Sequence, residues 1–241
     1  MFGLHLDTMA TRKYVDDYLH LGHRRRLVQQ LRARGITDER VLAAIGKVPR
    51  HWFVAQPYEA LAYEDRALPI ASGQTISQPY TVAYQSALLQ TEPRMKVLEV
   101  GTGSGYQAAV LGALDLRVYS LERHTGLYQS ARHLLTGTRF GKIRCFLRDG
   151  YRGLPVYGPY DRILVTAGAP ELPLTLLDQL AQGGQLVIPV GGEQQTMQRV
   201  TRTGKGPTDY TIESFAKFRF VPFKPGLAGA GERVRLEDGQ S

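Results

Sequence analysis

The sequence has one cysteine, Cys145, in 241 residues. That excludes an internal disulfide and fits a reducing compartment, so a cytoplasmic location is expected. Cys145 sits in an apolar run with Ile143, Phe146 and Leu147 and reads as buried filler rather than a nucleophile. No apolar run approaches the roughly 18 residues of a membrane span, so no membrane partner is expected. The opening Met1-Phe2-Gly3-Leu4-His5-Leu6-Asp7 lacks the basic-then-apolar order of a secretory signal. The six histidines show no metal-ligand spacing, and no metal is expected. There is no internal repeat, and no Ser-His-Asp arrangement to activate a nucleophile.

What is present is an ordinary soluble composition, 43% hydrophobic and 22% charged, in a length that suits one domain. The net charge of +8 invites a nucleic-acid reading. The basic residues are scattered, however, apart from His23-Arg24-Arg25-Arg26, which reads as a solvated helix face far in sequence from the residues that carry chemistry.

Those residues begin at Lys96-Val97-Leu98-Glu99-Val100-Gly101-Thr102-Gly103-Ser104-Gly105-Tyr106. An apolar strand breaks into three alternating glycines, and Tyr106 to Leu111 continues as a helix. Glycine lets backbone approach a ligand closely, and the helix start offers free N–H groups. A dinucleotide fingerprint needs G-x-G-x-x-G, and position 106 is tyrosine. A second strand, Arg117 to Leu121, ends in Glu122, about 20 residues after the first glycine, where an acid can hold ribose hydroxyls. A third strand, Lys142 to Leu147, ends in Arg148-Asp149-Gly150. Asp149 there can accept from an adenine amino group or serve as a turn former.

Around this centre the pattern is orderly. Arg24 to Arg34 and Thr37 to Val48 read as helices, stopped by Gly35 and Pro49. Leu68 to Tyr80 has no strong period and concentrates Thr75, Ser77 and Gln78. Ser77 or Gln78 can cap the next helix, with Pro79 in its first turn. Arg162 to Thr166 and Leu186 to Val190 read as strands, with a helix over Leu172 to Leu180 between them. Met197 to Thr203 and Tyr210 to Phe223 read as an antiparallel edge. The expected fold is α/β: a Rossmann-like doubly wound, mostly parallel sheet with an antiparallel edge and an N-terminal helical cap. Residues 1–80 would form the cap and a substrate/cofactor loop, and 81–225 the ligand-binding fold with its edge strands. Residues 226–241, rich in glycine and charge, would be a disordered tail. The ligand should lie at the carboxyl ends of the strands.

The G-x-G-x-G turn entered through Glu99 resembles motif I of class I S-adenosylmethionine (SAM) methyltransferases. With Gly73-Gln74-Thr75-Ile76-Ser77-Gln78-Pro79 and Val165-Thr166-Ala167-Gly168-Ala169-Pro170-Glu171-Leu172-Pro173, the chain from about Arg24 to Pro225 resembles protein-L-isoaspartate O-methyltransferases. The resemblance implies methyl transfer from SAM to the free α-carboxylate of L-isoaspartyl residues in damaged proteins. The ester then collapses to a succinimide, whose hydrolysis restores some aspartate. It implies Ser77 as the catalytic residue. It implies cofactor contacts from Thr75, Ile76, Ser77, Glu99, Gly101, Thr102, Gly103, Ser104, Gly105, Glu122, Arg123, Asp149 and Gly150. Substrate contacts would come from Ser77, Gln78, Val221 and Pro222. Damaged proteins and peptides are the expected partners of a monomer. Phe223 departs from the family by replacing a leucine, and Lys224 stands where some relatives carry a hydroxyl residue.

A carboxylate with a reference pKa near 4 is already ionised at neutral pH, so the reaction needs no general base. Ser77 would act as a donor that orients it, within the roughly 3 Å in-line approach that methyl transfer needs. The alternative is a SAM-dependent nucleic-acid methyltransferase, favoured by the charge. Amino-group methylation wants an acidic or amide residue, two prolines and an aromatic after the fourth strand, and that place holds Thr166-Ala167-Gly168-Ala169-Pro170. Cytosine C5 methylation wants a Pro-Cys pair, which Cys145 lacks. A SAM-binding module without catalysis would share the glycine turn, and Ser77 with its loop separates the two readings.

Overall fold

The computed structural model describes residues 14–206 and 208–228. Residues 1–13 of the expected cap and 229–241 of the expected tail lie outside the described residues. The cap begins with α1 (Tyr18–Ala33). It starts earlier than expected because Asp17 and His20 cap it reciprocally: Asp17 Oδ1 accepts from His20 N at 3.0 Å and His20 Nδ1 accepts from Asp17 N at 3.4 Å. Histidine in the place of the usual Glu or Gln hid that start. Gly35, at φ +95°, ends the helix as expected. In the basic cluster Arg25 and Arg26 face solvent, but Arg24 is buried. Its guanidinium donates to both carboxylate oxygens of Asp16 at 2.9 Å and to Gly46 O at 2.8 Å, so it is a structural cation. In α2 (Glu39–Lys47) Asp38 caps the amides of Arg40 and Val41, and Val41, Leu42, Ala44 and Ile45 are buried.

A two-residue ribbon follows, β1 (Leu68–Pro69) against β2 (Thr75–Ile76), with Ser72 and Gly73 at positive φ in its tip. The chain then enters α3 (Pro79–Leu88) with Pro79 in its first turn and Gln78 at the cap position. The alternation continues through β3 (Lys96–Val100), α4 (Tyr106–Ala113), β4 (Arg117–Glu122), α5 (Thr125–Thr136), β5 (Arg144–Leu147) and β6 (Tyr160–Val165). The helix expected over Leu172 to Leu180 shrinks to α6 (Leu174–Leu177). Leu180 has been drawn into β7 (Leu180–Gly191) opposite Tyr160, and a register shift before Gln185 absorbs Gly183 and Gly184. These glycines looked like a helix stop and are a strand irregularity. β8 (Gln195–Arg202) and β9 (Tyr210–Phe218) complete the sheet. The last strand ends before the expected Phe223, because the chain leaves the edge and turns back toward the strand ends.

The seven-stranded order is β5-β4-β3-β6-β7-β8-β9, parallel from β5 to β7 and antiparallel beyond. Alternate residues of β3 feed two cores, Val97 on one face with the cap and α4, Leu98 and Val100 on the other with β6 and α6. The first core runs without a break from Leu27 and Leu31 through Ile45 to Leu111. The cap is thus fastened to the sheet by shared apolar burial. The strand order reverses between β3 and β6, which places the crevice of a doubly wound sheet at the carboxyl end of β3, beside Val100 and Thr166.

Candidate functional site

After Val100 the backbone bends through Gly101, Gly103 and Gly105, at φ +106°, +53° and +89°. The bend is necessary at Gly101, where a Cβ would run into Thr166 Oγ1, which itself donates to Gly101 O at 2.8 Å. The amides of Gly101 and Thr102 donate to Leu121 O at 2.9 and 3.0 Å, tying the turn to β4. Gly105 then caps α4 in a left-handed conformation, leaving the helix start directed at the crevice.

Glu122, at the end of β4, is 5% exposed. Its carboxylate accepts from Gly103 N and Arg123 N at 2.8 Å and from His124 N at 2.9 Å. Three backbone donors therefore fix an acid beside the glycines. Glu99 is different. It is fully buried behind the turn, where Ser120 Oγ donates to one oxygen and the other has no partner among the described residues. Burial pushes its carboxyl up to about 8; the Ser120 bond opposes this and the Glu122 charge adds to it. Thr102 Oγ1 and Ser120 Oγ, 2.5 Å apart, continue the chain of polar groups into the turn.

Above the glycines lies a cleft of about 350 Å³. One wall is Thr75, Ile76 and Ser77 from the short ribbon. The floor is Gly101 to Ser104, with Glu122 and Arg123 beside it and Gly150 beyond. Val221, Pro222, Phe223 and Lys224 line it as well. Loops distant in sequence thus share one cavity.

Four expected site residues stand outside that lining. Glu99 and Gly105 lie behind and below the turn. Gln78 points to the cap, its Nε2 donating to Asp65 O at 3.0 Å, and so holds the Ser77 loop in place. Asp149 accepts from Tyr151 N at 3.0 Å and serves as the cap of a 3-10 turn, while its neighbour Gly150 faces the cleft. Tyr106, Gln107, Arg148, Thr166 and Phe223 line the cleft and were not among the expected residues. Tyr106 and Gln107 could have been found, since the first turn of a helix after a glycine bend faces the ligand. Phe223 could not: its ring stacks on Tyr151 at 4.0 Å and 13°, a contact no spacing reveals.

Elsewhere Asp16, His20 and His51 approach within 4.8 Å. The two imidazoles are stacked face to face at 3.8 Å and 8°, and Arg24 occupies both Asp16 oxygens, so their lone pairs do not converge on a cation. Cys145 is half-buried, and burial raises its thiol to about 12, which disfavours a thiolate nucleophile.

No helix among the described residues is long and apolar enough to cross a membrane. A sequence model of the family described as protein-L-isoaspartate(D-aspartate) O-methyltransferase matches residues 22–227. A protein-L-isoaspartate O-methyltransferase of Salinibacter ruber is 54% identical over 225 residues, covering 90% of this chain and 97% of that one. A solved protein-L-isoaspartate O-methyltransferase structure superposes with a TM-score of 0.77 at 27% identity, over 85% of this chain and 67% of the other. A Plasmodium falciparum structure in complex with S-adenosyl-L-homocysteine shares the fold, with a TM-score of 0.71 at 24% identity over 83% of this chain and 98% of that one. From the matched span and the identity along it, the chain belongs to the protein-L-isoaspartate(D-aspartate) O-methyltransferase family.

Proposed function

We propose that the cleft brings SAM and the free α-carboxylate of an L-isoaspartyl residue together, and that methyl esterification of damaged proteins is the reaction it serves. The observation that carries this reading is the shared cavity of Thr75–Ser77 and Gly101–Ser104. The residues fit the cofactor. Gly101 lies where a side chain would be blocked, Glu122 offers a fixed carboxylate for ribose hydroxyls, and the cavity is within the size range of small-molecule sites. Bound there, SAM supplies an electrophilic methyl group.

The chain's own part is binding and orientation. The glycine turn would hold the methionine portion, with Thr102 and Ser104 contributing there and Thr75 and Ile76 lining the same cavity. Gly150 would meet the purine, while Asp149 shapes its turn and Glu99 lies buried behind the glycines. Ser77 donates to the acceptor carboxylate, and Gln78 keeps that loop against the cap. Val221 and Pro222 run along the substrate backbone. A carboxylate oxygen forms the new bond to carbon, the C–S bond breaks with its electron pair retained by sulfur, and no proton changes place. Holding the two groups in line is therefore the main catalytic contribution. Residues 1–80 act as cap and acceptor loop and 81–225 as the cofactor fold, in a cytoplasmic monomer.

A methyl-release assay tests this with an isoaspartyl peptide, its aspartyl counterpart and RNA. Methanol release from the isoaspartyl peptide alone is the expected result. Methyl incorporation into RNA with none into the peptide would overturn it.

A further inference from the structure

Arg123 follows Glu122 directly and lines the cleft, yet its side chain is committed elsewhere. Its Nε donates to Gly226 O at 3.0 Å and its Nη2 to Pro225 O at 3.2 Å, while its own carbonyl accepts from Ala228 N at 3.0 Å. The residue just after β4 thus holds three backbone groups of the segment Pro225 to Ala228, about a hundred residues later. The upstream end of that segment is held separately. Gly168 N donates to Val221 O and Phe223 N to Gly168 O, both at 2.8 Å, and the Phe223 ring lies on Tyr151. The cleft-lining residues Val221 to Lys224 thus begin on the first attachment and lead directly into the second.

We infer that Arg123 is a positioning residue: with Gly226 it latches residues 220–228 across the cleft and thereby sets Val221 and Pro222 against the peptide acceptor. The inference rests on the substrate strand assigned under the proposed function. Two observations about the latch support it independently of any ligand. A guanidinium is a rigid fork, and here it spans two consecutive carbonyls, a geometry that a lysine cannot reproduce. Gly226 is at φ +72° with nothing within 4 Å of where its Cβ would be, so glycine serves the left-handed turn and not a tight space. With the latch open, this part of the cleft wall keeps its bonds to Gly168, the Tyr151 ring and, through Phe220 N, Gln195 Oε1, but its downstream end from Lys224 onward is released and the wall loses its second point of support.

The test is a cycle of full-length variants. Arg123→Ala should raise KM for an isoaspartyl peptide about tenfold, with kcat changed less than about threefold and SAM affinity within about twofold. Arg123→Lys should recover part of the loss. Gly226→Ala should move KM in the same direction, and the double variant should show no more than the larger single effect, because both open one latch. Hydrogen exchange across residues 220–228 should quicken in both variants while residues 96–100 stay protected. That readout needs no methyl transfer, so it separates failure of the latch from failure of the functional assignment. A tenfold loss of SAM affinity in Arg123→Ala with unchanged peptide KM would make Arg123 a cofactor ligand and overturn the inference. Multiplicative effects in the double variant, or unaltered exchange at 220–228, would overturn it equally.

Discussion

On the side of the cleft proposed for the cofactor, Gly101–Ser104 and Glu122 stand on the ends of β3 and β4, two central strands buried on both faces. On the side proposed for the acceptor, Ser77 follows a ribbon of two residues per strand, and Val221–Pro222 lies on a strap held by the two backbone hydrogen bonds of Gly168. The first side is rigid because its turn amides are tied to Leu121 O and to the Glu122 carboxylate, which is itself held by two further amides. The second has few paired groups and can open at small cost. The contrast suits the two ligands: one is the same molecule in every turnover, the other a segment of any damaged chain.

The comparison breaks most sharply at Glu122. In Glu122→Gln the amide NH₂ must face at least one of the three donors that the carboxylate now accepts. SAM affinity should fall about 30-fold by calorimetry, since a charged acceptor is replaced by a mismatched one. Unchanged affinity would mean the rigid half does not set cofactor binding. Ser77→Ala should act on the other half alone, lowering kcat about tenfold while SAM affinity stays within about twofold. Equal losses in both constants would erase the division between the halves.

The smallest effect concerns stability. The Glu99 carboxyl is raised from 4.5 to about 8. Between those values the folded chain keeps a proton that the unfolded chain has released, so the contribution of this group falls as pH rises from about 4.5 through about 8. Glu99→Gln removes the titration. Its melting temperature relative to the parent should climb with pH across that window, in thermal scans from pH 5 to 8. A pH-independent difference would show that the acid behind the rigid half is charged in the fold.

The cofactor half was the more legible in sequence, for a physical reason. Its geometry is local: a buried strand, glycines at positive φ and an acid after the next strand are neighbours in spacing as well as in space. The fold followed from the same alternation, down to the edge strands. What spacing could not show depends on distant partners. Arg24 reads as one of a solvated run until Asp16 and Gly46 meet it, and Asp149 reads equally as a ligand group or a turn former until its Oδ1 is seen to accept from Tyr151 N. Arg123 and Phe223 likewise take their roles from chain that arrives about a hundred and about seventy residues away. Gly183 and Gly184 misled because a strand irregularity and a helix stop use the same residue.

An enzyme that acts on damaged proteins meets strands that seek a partner, and β9 is a sheet edge with one ladder satisfied by β8 and no strand on its other side among the described residues. It carries Glu213 and Lys217 along its length, and its pairing is interrupted by a register shift between Thr196 and Gln198. Charges and an irregular edge are poor templates for a further strand. The edge is thereby a poor place for a damaged chain to add itself as a further strand.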